Sequence, residues 1–403
     1  MRVAVVGGGL VGLAVARHLW RRTAAPQLVR LTLFERAPVL AAEQSSHNSG
    51  VIHSGLAYRP GSLKAKLCVE GAARIYAYGE SEAGVQVPMR RVGKWIVATD
   101  EAEAQRLEPL LANAVQNGVR DVSLHDRIPS LPAVRAVRAL HSPHTGVIDY
   151  AALARAFARE ALAIGGERCE VRTAVPVDLD ALESEDEWLW WRRPLLVDRR
   201  RRQQLRQEHR HWQQQWDWVV VCVGAATRPS RHLRIVPFRG QYYELATDAV
   251  QRLGLGACNV YPVADPRFPF LGVHFTPSVD GRRVWVGPTA SLAGWPPLHY
   301  PGFWRLALPY AGYGLREWVR ERVPAVLARS LQRLVPSLRA RDLRRSFDGV
   351  RAQAVARDGT LVDDFCFHRV GNILHVRNAP SPAATSCMAI ARYIVEEMMQ
   401  LLP

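Results

Sequence analysis

Apolar and polar positions in the first 35 residues follow the order expected for a strand, a helix and a second strand. Residues 3–6 form a short apolar run that predicts a buried strand, and the chain then turns through a cluster of glycines. Apolar residues at helical spacing continue to Leu19, and residues 31–34 predict the second strand, which ends at Glu35. This order indicates a complete βαβ unit at the start of the chain.

Apolar runs in the second half of the chain predict further strands and a C-terminal helix. Residues 218–224 predict another fully buried strand of a parallel sheet. The tail predicts a strand over 372–376, a loop over 378–382 and a helix over 383–401. Strand patterns dominate residues 236–286, which indicates an antiparallel sheet outside the nucleotide-binding core. We therefore expect an α/β fold (α+β overall), with a Rossmann-like domain and an inserted, mainly antiparallel β-sheet domain.

The same pattern predicts two discontinuous domains. Residues 1–80, 148–235 and 345–403 are expected to form the nucleotide-binding domain, and residues 81–147 and 236–344 the substrate-binding domain. A chain of 403 residues is long enough for this division, since domains average roughly 150 residues.

Composition excludes several classes of protein. With 48% hydrophobic and 22% charged residues, the chain is neither disordered nor fibrous. Its six cysteines lie far apart without metal-site spacing, so neither a metal site nor a disulfide framework is expected. The longest apolar stretch is shorter than the ~18 residues that suggest a membrane span. Met1 directly precedes the first strand, so we expect a cytoplasmic protein, with peripheral membrane contact as one variant and a mitochondrial location if a presequence is missing.

The formal net charge of +16 raises the question of an anionic partner. Arginine supplies most of it, because lysine occurs only at Lys64, Lys66 and Lys94. The charge is spread thinly, so nucleic acid is not expected as a partner. The exception is residues 188–216, with eight arginines against two acidic residues. We expect a flexible surface excursion at a hairpin there, whose arginines and tryptophans could contact anionic lipid or a redox partner.

A G-x-G-x-x-G motif at Gly7, Gly9 and Gly12 joins the first strand to its helix. Gly7 allows the tight turn, Gly9 lets backbone N–H groups approach a pyrophosphate, and Gly12 lets the helix pack closely on the strand. Glu35 follows the second strand, where an acidic side chain can hold a ribose hydroxyl. The motif predicts a bound dinucleotide and leaves FAD and NAD open.

Candidate catalytic residues are sought among the histidines, because no G-x-S-x-G elbow supports a serine nucleophile. A lone histidine in a strand is usually a hydrogen-bonded core residue. His53 is different, since it lies in a polar, glycine-bounded loop soon after the nucleotide unit. The alternative to an enzyme is a basic protein that binds nucleic acid or membranes and keeps the nucleotide fold only for structure. That alternative would leave His53 and the glycine loop without a role.

Eight segments together resemble the L-2-hydroxyglutarate dehydrogenase family, which consists of FAD enzymes of the D-amino-acid-oxidase-like superfamily. The segments occur in family order along nearly the whole chain, at residues 46–55, 60–65, 93–98, 142–150, 236–243, 261–277, 349–353 and 378–385. One departure is Ala57, which stands where the family pattern has a second aromatic residue before Tyr58 and which predicts a larger pocket.

The resemblance implies FAD-dependent oxidation of L-2-hydroxyglutarate to 2-oxoglutarate, with electrons passed to a quinone or an electron-transfer protein. The α-hydrogen of a hydroxy acid is too weakly acidic for easy removal as a proton. The expected step is therefore hydride transfer to flavin N5 while a base takes the hydroxyl proton. The alternative is a flavin dehydrogenase or oxidase of another 2-hydroxy acid or of glycerol 3-phosphate.

The resemblance also implies site residues. His53 is expected to be the base, with Arg351 and His274 as further catalytic residues. The dicarboxylate is expected to contact Lys64, Tyr58, Arg239 and Tyr242, because cations and tyrosine hydroxyls bind carboxylates. Expected cofactor contacts are Gly7, Gly9, Leu10, Val11, Gly12, Glu35, Arg36, Ser46, Asn48, Ser49, Gly50, Val175, Gly224, Ser381, Pro382, Ala383 and Ala384. The last four precede or begin a helix whose N-terminal N–H groups can stabilise negative charge on a reduced flavin.

Overall fold

The structure is a computed structural model that describes residues 1–22, 28–81, 86–184, 187, 199–230, 232–266, 272–294 and 297–400. Its strands are β1 (Arg2–Val6), β2 (Arg30–Phe34), β3 (Val51–Ile52), β4 (Met89–Arg91), β5 (Lys94–Ala98), β6 (Ser123–His125), β7 (Arg138–Ser142), β8 (Gly146–Ile148), β9 (Cys169–Arg172), β10 (Trp218–Val221), β11 (Leu233–Leu245), β12 (Asn259–Pro262), β13 (His274–Pro277), β14 (Val284–Gly287), β15 (Ser291–Leu292), β16 (Leu343–Ala356), β17 (Cys366–Val370) and β18 (Ile373–Asn378).

The α-helices are α1 (Leu10–Arg22), α2 (Leu63–Gly79), α3 (Glu101–Ala104), α4 (Leu107–Gln116), α5 (Tyr150–Gly165), α6 (Arg199–Gln215), α7 (Thr247–Leu253), α8 (Pro301–Ala307), α9 (Ala311–Arg322), α10 (Pro324–Leu331) and α11 (Ala383–Gln400). The βαβ unit predicted at the start of the chain is confirmed as β1, α1 and β2. The strand and helix predicted for the tail are confirmed as β18 and α11.

A six-stranded sheet has the order β17-β18-β10-β1-β2-β9, and its neighbours are parallel except for the β17–β18 pair. Both faces of its centre are buried, which explains the continuous apolar run of β1. Val3 and Val5 pack in the core with α1, α5 and α11. Ala4 and Val6 pack in a second cluster on the other face. Alternation along the strand thus supplies two cores from adjacent residues.

The second large sheet has the order β15-β11-β14-β13-β12-β5-β7-β6, with β16 paired to β11. It is antiparallel apart from the β5–β12 pair, so the predicted antiparallel sheet is confirmed. β11 and β16 pair from Leu233 opposite Ala356 to Leu245 opposite Leu343. The domain boundaries predicted at 235/236 and 344/345 therefore fall inside these strands and not in loops. The two-domain division itself stays a prediction.

The prediction of a flexible excursion at residues 188–216 is wrong for the part that the structure describes, because residues 199–215 form α6. The helix is amphipathic and packs on the parallel sheet. Trp212 and Trp216 contact Phe34 edge-on, with ring centroids 5.6 and 6.1 Å away. These indoles are therefore not free to insert into a membrane. Residues 188–198, which include the arginines at 192 and 193, lie outside the described residues.

Candidate active site

The glycine-rich turn lies beside a cavity of about 570 Å³ at the carboxyl ends of the parallel strands. Gly7 has φ of +109°, and a Cβ there would lie 2.3 Å from the Cys222 carbonyl oxygen. A Cβ on Gly12 would lie 2.1 Å from the Gly7 carbonyl oxygen. Both positions therefore require glycine. Of the predicted cofactor residues, the cavity is lined by Gly7, Gly9, Glu35, Arg36, Val175 and Gly224.

Glu35 is held at this cavity by backbone donors. The Gly8 N–H donates to Glu35 Oε2 and the Ala37 N–H donates to Oε1, both at 2.7 Å. Each carboxylate oxygen keeps a second lone pair that can accept from a ligand hydroxyl. Arg36 forms an ion pair with Glu43, another residue that lines the cavity. The geometry fits a ribose-binding carboxylate at the end of β2.

Two residues at the cavity escaped the sequence analysis. Ser45 Oγ accepts the Leu10 N–H at 2.9 Å, at the start of α1. Gln44 Oε1 accepts the Ala225 N–H at 3.0 Å, and its Nε2 donates to the Val350 carbonyl at 3.0 Å. Their position directly before the 46–55 motif is the one signal that pointed to them.

The predicted contacts at residues 46–50 mainly shape their own loop. Ser46 Oγ donates to the Ala41 carbonyl at 2.7 Å. Asn48 Nδ2 donates to the Ser45 carbonyl at 2.9 Å, while its Oδ1 accepts the Gly50 N–H at 2.9 Å. Of the predicted residues at the start of α1, Leu10 and Val11 do not line the cavity. The structure thus gives Ser46 and Asn48 bonds within the protein and brings neither to the cavity.

The N-terminal end of α11 lies against the loop that contains His53. The His53 N–H donates to Thr385 Oγ1 at 3.1 Å, and Thr385 Oγ1 in turn donates to the Val51 carbonyl at 3.2 Å. Tyr150 contributes a hydroxyl 2.9 Å from the same Thr385 oxygen. Thr385, which directly follows the predicted residues 381–384, is therefore next to His53 in space, although it is far from it in sequence.

One face of the antiparallel sheet presents what we call the sheet-face cluster: Lys94, Tyr261, His274, Tyr242 and Arg351. Lys94 is opposite Asn259 on β12, so it shares a face with Tyr261. Val260 is opposite Phe275, which places His274 on that face too. Arg351 is opposite Phe238, and Ser49 and Arg351 both hydrogen-bond to Tyr242. Strand register and the hydrogen bond between Arg351 and Tyr242 therefore bring these five side chains together.

His274 is a neutral imidazole with a defined tautomer. Its Nδ1 lies 3.1 Å from the Gly272 carbonyl, which can only accept, so Nδ1 carries the proton and Nε2 is an acceptor. Its ring stacks on Tyr261 with centroids 3.8 Å apart. Burial, together with the charges of Arg351 and Lys94, lowers the pKa of His274 to about 3.

His53 faces the cluster from its loop. Removal from solvent, followed by the nearby charges of Lys94, His274 and Lys64, lowers the pKa of His53 well below its ordinary value. Both histidines are therefore unprotonated near neutral pH and able to accept a proton.

Lys64 and Tyr58 lie at the edge of this region. Lys64 is buried and its Nζ donates to Asp363 Oδ1 at 2.6 Å. The same ammonium lies 4.9 Å from the centroid of the Tyr58 ring. Burial raises the pKa of Tyr58, so its phenol stays protonated as a possible donor. Lys64 thus already has a carboxylate partner, which weakens the prediction that it binds substrate.

The structure does not bring Arg239, one of the predicted dicarboxylate contacts, to the sheet-face cluster. Residues three apart on a strand project to opposite faces, and Arg239 lies on the face opposite to Arg351. There it forms an ion pair with the buried Glu321, and its guanidinium is 3.9 Å from Asp348. The physical reason is the period of two in a strand, which the motif comparison did not apply.

Lys94 and Tyr261 are members of the cluster that sequence reasoning missed. Both lie in segments that resemble the family, at 93–98 and 261–277, but neither was assigned a role there. The scarcity of lysine was the available signal, since two of the three lysines, Lys64 and Lys94, are only 6% and 5% exposed. Lysine is almost never fully buried unless it is paired.

A family model for FAD-dependent oxidoreductases (DAO) matches residues 2–397. The chain belongs to this family. FAD is accordingly its cofactor and the protein is an oxidoreductase, which the glycine motif left undecided. The alternative of a basic binding protein with an idle nucleotide fold is not favoured by this membership.

Within the FAD-dependent oxidoreductases, the chain is similar to mitochondrial L-2-hydroxyglutarate dehydrogenases. It is 38% identical to the protein of Homo sapiens over 431 residues, covering 99% of this chain and 88% of the relative. It is 39% identical to that of Caenorhabditis elegans over 421 residues, covering 98% and 92%. These similarities confirm the resemblance identified from the motifs.

Solved structures of the family agree in fold. An L-α-glycerophosphate oxidase from Mycoplasma pneumoniae with FAD bound gives a TM-score of 0.69 at 20% identity, over 100% of this chain and 95% of that one. A glycine oxidase from Bacillus cereus gives 0.61 at 14% identity, over 100% and 96%. In the described part of the chain, no helix has the length and apolarity to cross a membrane. Nor do the described residues contain a cluster of three or more metal-ligating side chains.

Proposed function

We propose that the protein oxidises the C2 hydroxyl of L-2-hydroxyglutarate to the ketone of 2-oxoglutarate. The supporting observation is the arrangement of His274 and Arg351 on one sheet face, opposite His53. It occurs in a chain that is 38% identical over its length to an L-2-hydroxyglutarate dehydrogenase. A hydroxy acid needs both a proton acceptor and a cation for its carboxylate, and this arrangement offers both.

The cavity residues fit the cofactor of the family. Gly7 and Gly12 leave room that a Cβ would fill, and the Glu35 carboxylate is fixed at the cavity. When bound, FAD supplies the acceptor for the two electrons and the hydrogen that leave C2. We assign its nucleotide part to Gly7, Gly9, Glu35, Arg36, Val175 and Gly224, and we assign the N-terminal end of α11, with Ala383 and Ala384, to its redox-active ring.

In this proposal His53 takes the hydroxyl proton. Its ring is neutral, and its backbone is anchored to Thr385 at the first turn of α11. A hydroxyl has one proton to donate, so His274, whose Nε2 is fixed as an acceptor by the bond from Nδ1–H to Gly272, borders the substrate without bonding to that hydroxyl. Arg351 binds the C1 carboxylate, because a planar guanidinium can hold both oxygens and so fix the orientation of the reacting carbon.

The test of the reaction is the visible spectrum of the purified holoenzyme under anaerobic conditions. We expect the flavin band to bleach on addition of L-2-hydroxyglutarate and to remain after addition of the D enantiomer. Bleaching by glycerol 3-phosphate or by a short 2-hydroxy acid, but not by L-2-hydroxyglutarate, would replace the proposed substrate. A folded protein that takes up no FAD would contradict the assignment of the cavity.

The test of the base is His53→Asn. We expect kcat to fall by about 10²–10⁴-fold, the usual contribution of general base catalysis, with the FAD content unchanged. His368→Asn is the matched control, since His368 is an exposed histidine on β17. Full turnover by a flavin-loaded His53→Asn enzyme would remove His53 from the mechanism.

We further propose that the electrons pass to a quinone at a membrane surface. Support comes from α9, whose Leu315 and Trp318 are 63% and 49% exposed. Its acidic residues Glu317 and Glu321 are turned inward, so its outer side combines apolar side chains with arginines. Such a surface suits anionic lipid better than water. An electron-transfer protein is the competing acceptor, and reduction assays with each acceptor separate the two.

A further inference from the structure

Lys94 is a buried cation without an anion. Its side chain is only 5% exposed, and no described carboxylate lies within ion-pair distance of it. Lys64 shows the contrast, because its equally buried ammonium donates to Asp363 at 2.6 Å. A charge held away from water without a partner is strongly unfavourable. A ligand that brings a negative charge to Lys94 would offset this cost.

The surroundings of Lys94 place it in the active site. Its Nζ lies 3.9 Å from the centroid of the Tyr261 ring, and that ring stacks on His274. The charge of Lys94 also acts on His53. Burial lowers the pKa of Lys94 to about 8, so the ammonium is still largely protonated at pH 7. It is therefore a cation beside both histidines at neutral pH.

Lys94 and Arg351 lie on opposite sides of His274. In the sheet order, β12 and β5 follow β13 on one side, while β14, β11 and then β16 follow on the other. The positive charges of Arg351 and Lys94 both lower the pKa of His274, in keeping with this placement on its two sides. A molecule held over His274 between these strands has one positive charge at each end. That arrangement matches a dicarboxylate.

We propose that Lys94 binds the carboxylate of the substrate that is remote from the reacting carbon, and thereby sets the preference for a dicarboxylate. This rests on the proposed function, which gives Arg351 the C1 carboxylate. The division follows from chemistry. The reacting end needs a fixed orientation, which the planar fork of arginine supplies, whereas the remote end needs only a compensating charge, which the compact ammonium supplies.

The test compares two substrates that differ only at the remote end, L-2-hydroxyglutarate and L-2-hydroxypentanoate. In the holoenzyme, Lys94→Met should raise KM for L-2-hydroxyglutarate about 100-fold, as loss of a buried charge pair does, with a small change in kcat. The kcat/KM for L-2-hydroxypentanoate should not fall. Lys66→Met is the control, because Lys66 is the exposed lysine of the same chain and should leave both substrates unaffected.

A second readout is independent of turnover. Glutarate, which has no hydroxyl to oxidise, should bind to the wild-type holoenzyme in calorimetry, and Lys94→Met should lose about 100-fold in affinity. Lys94→Arg, which keeps the charge, should recover part of it and also serves if the methionine variant does not fold. Equal losses on both hydroxy acids, or unchanged glutarate binding in a folded Lys94→Met enzyme, would overturn the proposal. Failure of the wild type to oxidise L-2-hydroxyglutarate while it binds glutarate through Lys94 would instead reject the proposed reaction.

Discussion

The pKa values of His53 and His274 both lie below the usual range of histidine, so neither side chain takes up a proton near neutral pH. Burial is the first cause in each case, and neighbouring cations add to it. The other groups around Lys94 are also silent in this range, since burial raises the pKa of Cys68 and of Tyr261. Lys94 is thus the member of this group that titrates between pH 6 and 10.

This difference predicts the pH dependence of ligand binding. Glutarate is fully ionised above pH ~6, because its carboxyl groups titrate near 4 to 5. As the pH rises through about 8, Lys94 loses its proton and with it the attraction for a carboxylate. We expect the Kd of glutarate for the holoenzyme to be constant from pH 6 to 7.5 and to rise above pH 8, measured by calorimetry.

Lys94→Met serves as the control for this pH dependence, since a neutral side chain should give weak binding that is flat over the same range. Glutarate binding by the wild type that stays constant up to pH 9.5 would contradict the assignment of a titrating Lys94. A loss of glutarate affinity as the pH rises through about 6.5 would instead indicate a histidine whose pKa is not lowered.

At the scale of elements, the contact of α1 with β1 depends on Gly12. A Cβ at Gly12 would lie 2.1 Å from the Gly7 carbonyl oxygen, so the helix can begin this close to the turn only because Gly12 has no side chain. In Gly12→Ala the backbone of the turn must shift, and we expect a loss of about 1–3 kcal/mol in the free energy of unfolding, as for other overpacked sites. Denaturant unfolding measures this change, and FAD content should fall with it.

Gly312→Ala is the matched control for Gly12, because Gly312 lies in α9 with nothing within 4 Å of its added Cβ. We expect this variant to be as stable as the wild type or up to about 1 kcal/mol more stable, since alanine favours helix. Equal FAD content in the two variants would show that the close approach at Gly12 is not needed for the cofactor.

A buried ion pair ties β18 to the segment that precedes α6. Arg377 and Glu183 are each 2% exposed, and Arg377 Nη1 donates to Glu183 Oε1 at 2.7 Å. In Glu183→Gln the guanidinium stays buried without its counter-charge, so we expect about 3–5 kcal/mol less stability. Thermal and denaturant unfolding check this.

Glu170→Gln provides the comparison for Glu183, since the Glu170–Arg172 pair is exposed on both sides. Solvent screens such a pair, and we expect no measurable change in stability. If the two variants unfold at the same denaturant concentration, the pair at Arg377 does not stabilise the fold.

For the whole molecule, the proposed route of electrons makes the outer side of α9 a membrane-contacting surface. Leu315→Glu should weaken binding to vesicles of anionic phospholipid more than tenfold, because burial of a leucine contributes about 1.5–3 kcal/mol. Vesicle cosedimentation measures the binding. The rate with a quinone in the vesicles should fall, whereas the rate with a water-soluble dye should not.

The control is Val115→Glu on α4, since Val115 is 64% exposed and Leu315 63%. This variant should bind vesicles like the wild type. Equal binding by all three proteins would reject α9 as the contact surface. Quinone reduction that needs an added electron-transfer protein would reject the direct route.

The sequence by itself determined the features that depend on short stretches of chain. The β1-α1-β2 unit, the glycine turn and α11 follow from local periodicity and from the steric demand at Gly7 and Gly12. The family followed from motifs spread along the whole chain. Each strand, helix or motif among these can be recognised from the residues of its own segment.

Only the tertiary structure decided which side chains meet. Lys94, Tyr261 and His274 come together because three strands place them on one face, while the same alternation carries Arg239 to the other. The helix over residues 199–215 is packed on the parallel sheet, where Trp212 and the following Trp216 contact Phe34. Pairing between distant segments sets the register, and the register decides which side chains of different strands share a face; the local pattern of one strand does not encode this.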